Sequence, residues 1–138
     1  MGHVYAEIEL INGEDLSDAR RHRIGEEEVR RMRVTMMADS GAYMMAINEN
    51  IQAYLNLPFQ YQQPFHLADG RIIIRDVVGP VEVRFVNRRA LCNAMVLPGD
   101  SEPLLGAIPM EAMDVLIHPN RQELIVNPLH PEGAILRL

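Results

Sequence analysis

The sequence predicts a mainly β domain with one or two short helices, and two observations carry the prediction. All nine prolines lie at position 58 or later and recur about every ten residues from there. Proline stops helices and cannot serve a central strand, so this spacing favours short strands and turns. Apolar and polar residues alternate in Val4–Ile11 and again in Val81–Phe85, as is typical of half-buried strands. The length of 138 residues suits one domain over 1–138.

The first strand is predicted over Val4–Ile11, and Asn12-Gly13 provides a turn signal at its end. The highly charged stretch 14–33 is expected to be a polar loop with one helical turn, for which Asp15 or Ser17 could be the cap. Apolar residues resume after this loop.

Val34–Ala38 is predicted as a compact strand. Asn48 can then cap a helix over Glu49–Leu55, because asparagine is among the favoured cap residues. Ile51 stands where a capping box would have Glu or Gln, so the predicted cap is incomplete.

A hairpin is predicted in the middle of the chain. Phe65–Leu67 and the β-branched run Ile72–Ile74 flank the turn residues Ala68-Asp69-Gly70. A second turn is expected at Asn87-Arg88-Arg89, with a returning strand over Ala90–Leu97.

The last quarter begins with the short apolar segment Leu104-Leu105-Gly106. Pro109 is predicted at the first helical position of a helix over Met110–Leu116, where its missing N–H costs nothing. Leu124–Val126 is predicted as a core strand, and the tail Ala134–Leu138 as a segment that could pair with another strand.

The composition excludes several chemistries. All 13 basic residues are arginine, so no Schiff base, pyridoxal anchor or phosphate-loop lysine can be built. The net charge of −6 and the absence of tryptophan argue against broad nucleic-acid binding. Arginine clusters at 20–23, 30–33 and 88–89 leave an anionic partner as a minor alternative.

Cysteine and histidine offer little chemistry. The single cysteine, Cys92, excludes an intramolecular disulfide and is expected to be a small core residue. The histidines lack the close spacing of a zinc site, so neither metal nor cofactor is expected; they are His3, His22, His66, His118 and His130. The chain has no apolar run of membrane-spanning length and no signal-peptide pattern, which predicts a cytoplasmic protein without membrane contact.

Asp39 is the most informative residue, because it is the only charged residue between Val34 and Ile47. A carboxylate in such apolar surroundings should be desolvated, which favours its protonated form and marks a candidate functional acid. The competing interpretation is a plain turn, since Asp, Ser and Gly all favour turns.

An apolar strand ending in Asp39-Ser40-Gly41-Ala42, followed by an apolar segment and a short helix, resembles the active-site region of retropepsin-like (retroviral-type) aspartic proteases. The second signature of that family is two apolar residues and a glycine before a short helix, which Leu104-Leu105-Gly106 matches. Between the signatures the family has a flap hairpin, matched by Phe65–Ile74 with Leu67-Ala68-Asp69-Gly70 at its tip. The resemblance, to a cellular or prokaryotic member, covers about residues 30–127.

The resemblance implies a single-lobed acid-protease barrel that works as a homodimer. Asp39 would be the catalytic aspartate of each copy, and Ser40 would form the cross-subunit hydrogen bond that threonine more often makes. Gly41, Ala42 and residues 104–106 would support the site. The implied reaction is hydrolysis of a peptide or protein substrate by a water that the two Asp39 carboxylates activate, with no cofactor.

Two departures from the family keep an alternative open. Retroviral members have an arginine after the glycine of the second signature, where this chain has Ala107, and the flap tip has Asp69 in place of a glycine-rich run. The alternative is a catalytically weak or inactive peptide-binding or assembly module on the same fold.

Overall fold

The predicted alternation of the first strand is matched by its burial. In the computed structural model, which describes residues 2–138, strand β1 (Val4–Asn12) places Val4, Ile8 and Leu10 in the core. The described residues also form eight further strands: β2 (Arg31–Ala38), β3 (Met45–Asn48), β4 (Phe59–His66), β5 (Ile72–Phe85), β6 (Arg88–Leu97), β7 (Leu104–Leu105), β8 (Val115–His118) and β9 (Glu123–Val126). Three short helices complete them: α1 (Gly13–Arg20), α2 (Glu49–Leu55) and α3 (Ala107–Met113). One or two helices were expected, so the mainly β class is confirmed with one helix more.

Seven strands form one mixed sheet in the order β1-β2-β7-β3-β6-β5-β4. Strand β1 also pairs antiparallel with β5, from Glu9 opposite Arg84 to Asn12 opposite Val81, and this second pairing closes the sheet into a barrel. Strands β8 and β9 form a separate two-stranded sheet. Closure leaves β4 as an edge strand that extends beyond the barrel together with the first half of β5.

The expectation of a polar loop over 14–33 with a cap at Asp15 or Ser17 was wrong. The Asn12 side chain caps α1 by accepting a hydrogen bond from the Asp15 backbone N–H at 3.0 Å, so Asn12 begins a helix rather than a turn. Asp15 is buried and accepts from the Arg30 backbone N–H and, in a bidentate pair, from its guanidinium. This pair fastens α1 to the start of β2, which begins at Arg31 rather than at position 34.

The predicted helix at 49–55 is confirmed as α2, and Asn48 caps it by accepting from the Ile51 N–H at 2.8 Å. The predicted hairpin is also present, with β4 and β5 both longer than expected. The turn predicted at 87–89 lies one residue earlier, because Val86 has a φ of 54° and β6 already begins at Arg88.

The helix predicted over Met110–Leu116 was misplaced. Helix α3 begins at Ala107, so Pro109 is its third residue, and it ends at Met113 because Asp114 takes the left-handed conformation with a φ of 56°. The following apolar residues form β8, which pairs with the correctly predicted strand near Leu124. The tail 134–138 lies in no strand; its Ile135 N–H donates to the Asp114 carboxylate at 3.2 Å. No helix within residues 2–138 is long and apolar enough to cross a membrane.

Candidate active site

Asp39 directly follows the end of β2, where this strand runs parallel to β7. Its backbone N–H donates to the Leu105 carbonyl at 3.2 Å, and the Met37 N–H donates to the Pro103 carbonyl at 3.0 Å. Strand β7 pairs on its other side with β3 through Ala46. The Asp39 loop connects β2 to β3, and the two-residue strand β7 lies between these two strands. Strand β7 therefore holds both ends of the loop.

The Asp39 loop and the start of α3 are locked together by their backbones. The Ala107 N–H donates to the Ala42 carbonyl at 2.7 Å, and the Ile108 N–H donates to the Tyr43 carbonyl at 3.1 Å. Gly106 leaves no room for a side chain, since a Cβ there would lie 2.6 Å from the Met44 carbonyl carbon and 2.9 Å from the Ala42 oxygen. Glycine at this position therefore permits the close approach that joins the two predicted signatures.

The Asp39 carboxylate is oriented by its own loop. Its Oδ1 accepts a hydrogen bond from the Gly41 N–H at 2.9 Å, and a Cβ at Gly41 would lie only 3.1 Å from that oxygen. Asp39 is half-buried, whereas Ser40 and Gly41 are exposed. The enclosed, desolvated environment expected for Asp39 from the sequence is therefore not found, because its loop faces outward.

The hairpin of β4 and β5 ends in an ordered tip. The Leu67 N–H donates to the Arg71 carbonyl at 2.8 Å, and Gly70 has a φ of 87° that favours glycine. Asp69 accepts from the Arg71 backbone N–H at 3.0 Å and from its guanidinium at 2.7 Å. These two bonds from Arg71 hold the pKa of the Asp69 carboxyl below its usual range. Asp69 therefore braces the tip.

A cleft of about 590 Å³ lies between the Asp39 loop and this hairpin, a size suited to a peptide segment. Residues from both signatures and from the predicted flap line it together: Gly41, Ala42, Tyr43, Met44, Ala46, Tyr61, Gln63, Pro64, Phe65, His66, Leu67, Ile73, Met95, Leu97 and Leu104. None of these lining residues is Asp, Glu or Arg. Asp39 is not itself among the lining residues; it adjoins the cleft through Gly41 and Ala42.

Several lining residues were not singled out by the sequence. Tyr61 and Gln63 alternate along β4 with Phe65, where the predicted flap begins, so a period of two extended back from Phe65 could have found them. Of the methionines flanking Asp39, Met44 lines the cleft, whereas Met45 is fully buried in the core. Position along the strand, rather than residue type, separates these two roles.

Outside the cleft, Cys92 is partly buried against the core, and burial raises the pKa of its thiol to about 12. This agrees with the core position expected for it. Within the described residues 2–138, no three His, Cys, Asp or Glu side chains lie close enough together to hold a metal ion.

Comparison with known proteins gives one informative result. No protein-family model and no curated protein matches the sequence. Among solved structures, the fold is similar to the crystal structure of the retroviral protease-like domain of Ddi1 from Leishmania major, with a TM-score of 0.56. The match covers 93% of this chain and 90% of that chain at 12% sequence identity. The chain has a retropepsin-like fold. At this identity the likeness concerns the fold alone.

Proposed function

We propose that the chain is one half of a homodimeric aspartic endopeptidase in which Asp39 is the catalytic residue of each copy. The observation that carries the proposal is the position of Asp39, on a loop locked to β7 and α3 and next to a cleft beneath a hairpin, in a retropepsin-like fold. The substrate is an extended peptide segment, since the cleft runs between the two elements and is lined mainly by apolar and uncharged side chains.

The chain contains a single Asp-Ser-Gly, at residues 39–41, so the proposal takes its second carboxylate from a second copy. Aspartic-protease chemistry needs two carboxylates about 3 Å apart that share one proton. A twofold axis beside Asp39 supplies the second one, because it brings the same residue from each copy to the same place. One carboxylate then acts as general base on a water, while its protonated partner polarises the scissile carbonyl. The two apparent pKa values belong to the pair.

The outward-facing part of the loop is the surface on which the second copy would pack. Ser40 and Gly41 are exposed, so the Ser40 hydroxyl is available for the proposed cross-subunit hydrogen bond. Position 107 is alanine here, whereas retroviral members have arginine. The backbone N–H of Ala107 donates to the Ala42 carbonyl, so the Asp39 loop is held by the backbone rather than by a side chain at position 107. The lock within each chain is therefore independent of that arginine.

The direct test is peptide cleavage by the purified protein and its Asp39→Asn variant, using a diverse peptide library at about pH 4–7. The amide cannot act as a base, so cleavage should fall by at least about a thousandfold. Asp100→Asn is the matched control, because Asp100 is exposed in a turn and does not line the cleft, so this variant should cleave like the wild type. Identical cleavage by all three proteins would contradict the proposal.

Dimerisation is tested separately by light scattering over a concentration series. Activity should follow the dimer fraction, and a fully active strict monomer would contradict the mechanism. A dimer that binds peptides but cuts none would instead favour the binding or assembly module. Affinity for RNA or an acidic protein that falls steeply with salt would favour the anionic-partner alternative.

A further inference from the structure

Arg75 lies at the base of the hairpin on the side that faces the cleft. Strand β5 alternates, with Ile73 and Arg75 half-buried and Ile74 exposed. Arg75 is directly opposite Gln63 of β4, and cross-strand partners in an antiparallel pair point to the same face of the sheet. Because Gln63 and Ile73 both line the cleft, Arg75 continues the cleft-facing row toward the barrel.

The Arg75 guanidinium lacks the partners that a buried cation normally has. Its Nε is buried, and no acceptor within residues 2–138 bonds to it. The hydrogen bond that it does make runs from Nη1 to the carbonyl of its neighbour Ile74 at 3.3 Å. An arginine carries five N–H donors, and buried donors without acceptors are costly. The Nε itself is out of reach of an outside oxygen, so the Nη end of the half-buried guanidinium is the part of Arg75 that can bind one.

A second cavity of about 230 Å³ opens beside Arg75. It is bounded by Arg75 and its two neighbours in β5, by Glu49, and by the end of β6 from Val96 to Pro98. Leu97 lines both this cavity and the larger cleft, so the two spaces adjoin. A route from the cleft to the guanidinium would therefore run over Leu97.

Two carboxylates also border the second cavity, and both already have hydrogen-bond donors. Glu49 accepts from the Gly99 backbone N–H, and Asp76 accepts from the Gln62 side chain at 3.2 Å. Neither forms an ion pair with Arg75 among the described residues. Asp76 lies on the opposite face of β5, next to Arg75 in sequence. Glu49 and Asp76 weaken the attraction of Arg75 for an incoming anion, but neither carboxylate is bound to the guanidinium.

We propose that Arg75 forms a cationic subsite at the base of the hairpin and selects peptides that place an Asp or Glu side chain over Leu97. The proposal rests on the proposed endopeptidase function and adds a substrate preference to it. The incoming carboxylate binds the Nη groups at the outer end of the guanidinium, which form no ion pair among the described residues. Because Arg75 is half-buried and Glu49 is near, the selectivity for Glu over Gln should be about fivefold.

The test compares paired peptides that differ only in Glu or Gln at each position flanking the cleaved bond. The ratio of kcat/KM values for the pair should be about five at one position in the wild type. It should fall to about one in Arg75→Gln and drop below one in Arg75→Glu, which should prefer Lys at that position. Arg89→Gln is the matched control, since Arg89 is exposed at the far end of β6 and should keep the wild-type ratio.

The outcomes separate this proposal from the proposed function. Cleavage by the wild type with the same Glu-to-Gln ratio in Arg75→Gln would overturn the subsite while leaving the endopeptidase intact. An equal loss for both peptides would also overturn it, because Arg75 would then bind the peptide backbone or only stabilise the fold. If the wild type cleaves nothing, the endopeptidase proposal fails. Fluorescence anisotropy of the same labelled peptides on wild type and Arg75→Gln then decides the subsite, and equal affinities would overturn it.

Discussion

Substituting Gly106 by alanine should separate the two loops that meet at the candidate site. The added Cβ would lie 2.6 Å from the Met44 carbonyl carbon, whereas ordinary contact begins at 3.4 Å, so the backbones must part by about 0.8 Å. That shift stretches the 2.7 Å bond between Ala107 and Ala42 beyond a good hydrogen bond and weakens the neighbouring one from Ile108. Overpacking should cost about 1–3 kcal/mol, and the two weakened hydrogen bonds about 1 kcal/mol each. After the entropy that alanine gains over glycine in the unfolded chain is subtracted, the free energy of unfolding should fall by about 3 kcal/mol.

Urea unfolding followed by circular dichroism measures this loss, and the thermal midpoint should fall by about 10 °C. The matched control is Gly133→Ala, where the heavy atom nearest to the new Cβ is 3.9 Å away. The control should stay within about 1 kcal/mol of the wild type. If Gly106→Ala unfolds at the same urea concentration as the control, the close approach of the two loops does not stabilise the fold as argued.

Three further predictions concern other parts of the chain. Replacing Asp15 by Asn should lower the free energy of unfolding by about 2 kcal/mol, because three bonds from Arg30 lose the carboxylate charge, and urea unfolding measures it. Hydrogen bonds with Asn127, His130 and the Ile135 N–H hold the pKa of Asp114 at about 2, so its bond to the Ile135 N–H should persist as pH falls through 4 and be lost near pH 2. An NMR titration of that amide with a midpoint near 4 would contradict this. Burial raises the pKa of Cys92 to about 12, so its thiol should react with Ellman's reagent at pH 8 only on unfolding; immediate reaction would count against the prediction.

The elements that local sequence determines were predictable. Helix α2 follows from its Asn48 cap, and the hairpin follows from β-branched and aromatic residues around an Asp-Gly turn. The Asp39 loop and Leu104-Leu105-Gly106 were each visible as short signals, and the fold does bring them together. Each of these signals lies within a few consecutive residues, which is why one sequence was enough to find it.

The remaining elements depend on partners that are distant in sequence. Helix α1 looked like a solvated loop because its stability comes from Asp15 pairing with Arg30, fifteen residues away. Helix α3 ends where the Asp114 side chain accepts from Asn127 and contacts His130. The residues around position 114 do not predict these bonds, because both partners lie more than ten residues further along the chain. The pocket beside Arg75 likewise requires β5 and β6 to be brought side by side.

The two-residue strand β7 also determines the order in which the molecule can form. Leu104 pairs with Met37 across 67 residues (104 − 37), so the Asp39 loop gains its brace only after a long loop has closed. A chain that ends before residue 104 can still pair β1 with β2, but it lacks β7, the strand that pairs with the end of β2 beside Asp39. Helix formation in α2 is local and can precede this closure. The packing of the Asp39 loop against β7 therefore forms late, because it depends on a contact between residues that are far apart in the sequence.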